Sequence, residues 1–100
     1  VTFTIYTRDN CVPCVRLKQW LADAKRDNKY NSVIHTFLHS IQFINIDKVP
    51  EKKGDLFDLG VKSVPCMIVD FGLSNAQHIG LEEIIERLER QISIYLRGHI

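Results

Sequence analysis

An α/β fold, with a β-sheet flanked by helices, is predicted by three features of this sequence. Runs of β-forming residues alternate with segments of helical periodicity, short polar or glycine-containing turns separate them, and no repeat, long linker or low-complexity stretch intervenes. The 100 residues suit one domain over 1–100, and a hydrophobic share of 45% is ordinary for a chain that builds one core. Thirteen Lys and Arg against 12 Asp and Glu leave a formal charge of +1, so bulk charge gives no drive toward nucleic acid or an anionic membrane. No apolar run approaches the roughly 18 to 20 residues of a membrane span, and no basic-then-apolar signal segment opens the chain. Three cysteines cannot all pair internally, which favours functional thiols in a reducing compartment over a secreted disulfide framework. The expectation is a cytoplasmic monomer.

The elements follow in order. Thr2 to Thr7 alternates β-formers, with Phe3 and Ile5 on one side, and ends at the polar turn Arg8, Asp9, Asn10. From Cys14, the residues Leu17, Leu21 and Ala24 recur at helical spacing, so a helix starts at or beside the cysteines. Asp27 to Asn31 reads as a break, followed by a short helical segment on Val33, Ile34, Phe37 and Leu38. Ile41 to Asp47 reads as a second strand. Pro50 then suits the first turn of a helix that stops at Gly60, with Gly54 making it short or irregular. Cys66 to Phe71 is an apolar strand, Gly72 to Asn75 a turn, and Gln77 to Ile79 a short antiparallel return. Leu81, Ile84, Ile85, Leu88, Ile92 and Tyr95 close the chain as a helix, with Glu82, Glu83 and Glu86 near its N-terminal end, where the dipole favours anions.

C-V-P-C at the opening of a helix has a direct chemical reading. Unpaired helix N–H groups and the dipole favour a thiolate, so Cys11 is the expected nucleophile. Cys14, about one turn further in, is placed to attack a mixed disulfide on Cys11 and release the reduced substrate. Pro13 wastes no N–H in this first turn. Arg8 adds positive potential and Asp9 opposes it. The spacing also matches half of a zinc site, with His35 and His39 four apart, but no second C-x-x-C and no H-E-x-x-H follow.

These residues resemble the thioredoxin and glutaredoxin superfamily, through C-V-P-C after the first strand and S-V-P before the third. The resemblance runs from Thr2 to about Arg90, with residues 28 to 40 as an enlarged connection. It implies a thioredoxin-like fold with a four-stranded mixed sheet, a cis Val64–Pro65 bond beside the cysteines, and a Val64 backbone that holds substrate as an added strand. Asn10 and Ile5 stand where thioredoxins usually carry Trp and a buried acid, which favours a glutaredoxin-like protein. His78-Ile79-Gly80-Leu81-Glu82-Glu83 resembles the glutaredoxin stretch that helps bind glutathione, but Leu81 replaces its second glycine and Glu83 stands near its Asp position. I-Y-T-R-D-N-C-V-P-C and I-N-I-D-K-V-P resemble the glutaredoxin-like hydrogen donors of ribonucleotide reductase, whose later W-S-G-F is missing here.

The implied activity is reduction of protein disulfides by Cys11 and Cys14, with Arg8, Val12, Pro13, Val64, Pro65 and Gly80 binding substrate. No bound cofactor or metal is expected. Electrons would come from glutathione, or from NADPH through thioredoxin reductase, and ribonucleotide reductase is a candidate substrate. A binding module without turnover and a cluster-holding glutaredoxin are the alternatives. Cys66 reads either as a third redox thiol or as a small core residue. Trp20 faces a partner or packs on its own domain. Lys48, Lys52 and Lys53 steer an acidic partner or form a solvated face.

Overall fold

The computed structural model describes residues 1–98, so the last two positions of the expected domain lie outside the described residues. The elements are β1 (Thr2–Thr7), α1 (Val12–Lys25), α2 (Ser32–Ser40), β2 (Gln42–Asn45), α3 (Pro50–Asp58), β3 (Cys66–Asp70), β4 (Asn75–Ile79) and α4 (Leu81–Arg97). The sheet runs in the order β2-β1-β3-β4. β1 pairs with β2 in parallel and with β3 antiparallel, and β4 returns antiparallel along β3. This is the mixed four-stranded sheet expected from the sequence. Among the described residues, no helix is long and apolar enough to cross a membrane.

The alternation in β1 sorts its side chains between two layers. Phe3 and Ile5, with Met67 and Val69 of β3, meet Leu17 and Leu21 of α1, Ile34 and Leu38 of α2, and Ile84 and Leu88 of α4. The opposite layer is smaller and gathers Cys66, Ile68, Ile46, Leu56 of α3 and Val61, with Tyr6 packed against them. Burial at alternate positions of β1 is what a strand covered unequally on its two faces requires.

The structure refines the sequence reading at several elements. The short apolar segment after residue 31 is a full nine-residue helix, because Asn31, read as part of a break, is its N-cap: Oδ1 accepts the Ile34 N–H at 3.0 Å. β2 is only four residues long, since Ile41 caps α2 and only one further bond, Ile46 N–H to the Thr7 carbonyl at 2.8 Å, extends the pairing. α3 is short, nine residues, but it runs unbroken through Gly54; the space beside the glycine's Cα is open, so its cost is conformational alone. β3 ends at Asp70, whose Oδ1 accepts the Gly72 N–H at 2.7 Å, and β4 starts at Asn75, two residues before the expected return.

Candidate active site

The cysteine pair lies where β1 hands over to α1. Asn10 takes a left-handed conformation (φ 54°), which Asn tolerates, and turns the chain so that Cys11 becomes the N-cap of α1. Cys11 Sγ accepts the Cys14 N–H at 3.2 Å, and its carbonyl accepts the Val15 N–H at 3.1 Å. One orphan donor of the helix is thus aimed at the sulfur. Cys11 and Cys14 are joined by a disulfide, with Cα atoms 5.2 Å apart. They are only 3% and 2% exposed, whereas the intervening Val12 is 64% exposed. Pro13 sits in the first turn, which carries no acidic residue.

The turn before Cys11 is fastened to the end of β2. The Asp9 N–H donates to Asp47 Oδ2 at 2.8 Å, Asn45 Nδ2 donates to Asp9 Oδ1 at 2.9 Å, and the Asp47 N–H donates to Asn45 Oδ1 at 2.9 Å. The Asp9 carboxylate is therefore engaged with Asn45. Sequence reasoning missed Asn45 and Asp47; a cluster of Asn and Asp at a strand end is a turn signal, but which loop it grips depends on the sheet register.

The expected site residues fall around two grooves. Arg8, Cys11 and Val12 line one of about 820 Å³, together with the cations Arg16, Lys18 and Lys48 and the single acid Asp9. Pro13, Val64, Pro65 and Gly80 line a second, of about 480 Å³, with Arg16, Glu82 and Glu83. Arg16 borders both, and sequence reasoning did not single it out. The Val64–Pro65 bond is cis, and Pro65 is fully buried. The Gly80 N–H donates to the Pro65 carbonyl at 2.9 Å, which ties the entry to α4 to the segment before β3.

Family models give no match to this chain. Among solved structures, it is similar to the glutaredoxin-like protein NrdH-redoxin from Escherichia coli, described as having a thioredoxin-like activity profile. The TM-score is 0.60 at 27% identity, covering 88% of this chain and 95% of that one. By its fold and its C-x-x-C disulfide the chain is a member of the thioredoxin superfamily, similar to glutaredoxin-like proteins. The glutaredoxin-like proteins NrdH of Lactococcus lactis subsp. cremoris MG1363 and subsp. lactis IL1403 are each 29% identical to it over 69 residues, spanning 67% of this chain and 75% of theirs. This glutaredoxin-like chain thus has the α/β thioredoxin-like fold, with four helices and a redox-active disulfide in its C-x-x-C pair.

Two further titratable groups lie on β3 and β4, one next to Pro65 and one two residues before Gly80. Cys66 is fully buried, and burial, followed by the Glu83 charge, pushes its thiol up to about 11. Its surroundings are those of a small core residue. His78, on β4 opposite Met67, is pulled below the ordinary histidine range by burial, with Glu83 opposing the shift. Its Nδ1 stands 3.5 Å from Glu83 Oε1, while Glu83 Oε2 accepts the Ile79 N–H at 3.4 Å. Among the described residues, no three or more His, Cys, Asp or Glu are grouped to hold a metal ion, and His35 packs edge-on against Tyr30. Trp20 is half-buried against the larger core layer. Lys48 and Lys53 are exposed, and Lys52 Nζ lies 3.7 Å from Asp55.

Proposed function

We propose that this glutaredoxin-like chain is a thiol-disulfide oxidoreductase that reduces protein disulfides and draws its electrons from NADPH through thioredoxin reductase. The observation that carries this reading is the Cys11–Cys14 disulfide at the mouth of α1, whose intervening Pro13 shares a groove with Val64 and Pro65. In the reduced form, the Cys11 thiolate, favoured by the helix N-terminus and the Cys14 N–H, attacks one sulfur of a substrate disulfide. The substrate bond breaks, one substrate sulfur leaves and takes a proton, and a mixed disulfide with Cys11 forms. Cys14 then gives up its proton and attacks Cys11 Sγ. The second substrate thiol is released, and the Cys11–Cys14 bond closes. Two electrons and two protons have passed to the substrate.

Val64 supports strand-like docking, because the pairing of β3 with both its neighbours begins only at Cys66 and leaves the preceding backbone outside the ladders. Pro65 fixes that segment, and Gly80 braces it from the other side. Val12 and Pro13 offer an apolar contact between the two grooves. Arg8, with Arg16, Lys18 and Lys48, gives the mouth near Cys11 a positive field suited to an acidic partner segment.

The choice of reductant rests on charge. Glu82 and Glu83 outnumber the single cation Arg16 at the groove beside Pro65, and this acidic balance disfavours the two carboxylates of glutathione, even though Glu83 stands near an acidic position of the glutathione-binding stretch. Similarity to NrdH-redoxin, with its thioredoxin-like activity profile, supports the same choice. Resemblance to the hydrogen donors of ribonucleotide reductase makes that enzyme the substrate to test first.

The test compares disulfide reduction driven by NADPH and thioredoxin reductase with that driven by glutathione and its reductase. Faster turnover with the first is expected, together with no activity in Cys11→Ser and mixed disulfides trapped by Cys14→Ser. Full activity of Cys11→Ser would end the reading, and preference for glutathione would overturn the choice of reductant.

A further inference from the structure

At the end of the sheet remote from the cysteines, a groove of about 600 Å³ opens between α2, α4 and the start of β1. Its walls are aromatic. Phe3 and Phe37 meet edge-to-face at 4.9 Å between centroids, and Phe37 and Tyr95 lie 5.4 Å apart. Phe71, 48% exposed, stands at the rim.

Among the described residues, Arg87 carries the only charged side chain lining this groove, which Val1 with its α-amino group also borders. Its guanidinium lies 5.3 Å over the Phe3 ring, and Nη1 donates to Gln91 Oε1 at 3.0 Å. No carboxylate lies within salt-bridge distance of it among the described residues. Burial and the nearby Arg90 both work against its charge. A half-buried guanidinium without a carboxylate retains unused donors in a planar fork, the geometry that best matches a carboxylate.

We propose that this groove binds a small aromatic carboxylate, with the carboxylate on Arg87 and the ring against the accessible side chains of Val33, Phe71 and Tyr95. The size favours a small molecule over a protein. Ligand pockets span about 300–1,000 Å³, whereas a stable protein interface takes about 800 Å² from each partner. Among the described residues, the exposed large apolar side chains at this groove are Val1, Val33 and Phe71. One guanidinium fork also matches one carboxylate, not the several phosphates of a nucleotide.

The experiment titrates the protein with 3-phenylpropionate and, separately, with 3-phenylpropanol, following side-chain resonances by NMR. Saturable shifts at Val33, Phe71 and Tyr95 are expected with the acid. Binding should be roughly tenfold or more weaker with the alcohol, as loss of a charge-assisted hydrogen bond implies. Arg87→Met should weaken acid binding to a similar degree, with Arg87→Lys between. Because Arg87 also covers Phe3, the acid–alcohol comparison on the unaltered protein decides the matter if the variants misfold. Equal binding of acid and alcohol, no saturable shift, or shifts confined to the cations around Cys11 would overturn the proposal. So would binding by a peptide C-terminus where the free acid fails.

Discussion

Cys66 and Cys11 place the same side chain in opposite surroundings. Cys11 caps a helix and meets an N–H donor, while Cys66 lies among Ile46, Leu56, Val61 and Ile68. With its thiol pushed up to about 11, Cys66 is ionised in only about one molecule in ten thousand at pH 7. After reduction, iodoacetamide should label Cys11 first and leave Cys66 untouched until denaturant is added, as mass mapping would show. The shift also links stability to pH. Between the ordinary thiol value of 9.0 and about 11, the unfolded chain loses a proton that the folded chain keeps. Stability therefore falls as pH rises through that window. Cys66→Val should remove this part of the slope in urea unfolding; an unchanged slope would place its origin elsewhere. The burial of Cys66 was legible in its apolar run. The His78–Glu83 contact and the grip of Asp47 on Asp9 were not, because each pairs residues that only the register and the helix entry bring together.

At the scale of elements, spacing and caps made β1, α1, β3 and α4 readable in advance. The boundaries of α2 and β2 were less so, because each is short and its ends are set by a single bond: the Asn31 cap in one case, the Ile46 N–H to the Thr7 carbonyl in the other. Gly80 shows what a junction requires. Its φ of 95° and ψ of 156° fall in a region essentially reserved for glycine, yet an added Cβ would meet nothing within 4 Å. Gly80→Ala should therefore cost about 1–3 kcal/mol through backbone strain alone. It should also raise the KM for a disulfide substrate, since the Gly80 N–H braces Pro65. An unaltered urea midpoint would mean that the backbone relaxes there without penalty.

For the whole molecule, the two unequal layers set where stability resides. Leu88 is fully buried in the larger layer, and Val15 is 65% exposed on α1. Leu88→Ala should cost about 2–5 kcal/mol by leaving a cavity. Val15→Ala should stay within about 0.5 kcal/mol. Urea denaturation of the oxidised protein measures both, and equal effects would contradict this division of the core. The alternating pattern of β1 put Phe3 and Ile5 on one side; that α2 joins the layer covering that side depended on tertiary packing no periodicity encodes.

The clasp from Asp9 to Asn45 and Asp47 bears on how fast this protein can cycle. A redox loop that softened on reduction would have to be re-ordered at every turnover, adding an entropic barrier to ring closure. Here the approach to the sulfurs is stapled to the end of β2 by side chains other than the cysteines, so on the proposed redox role the reduced form is expected to keep this backbone and ring closure to need no re-ordering of the chain.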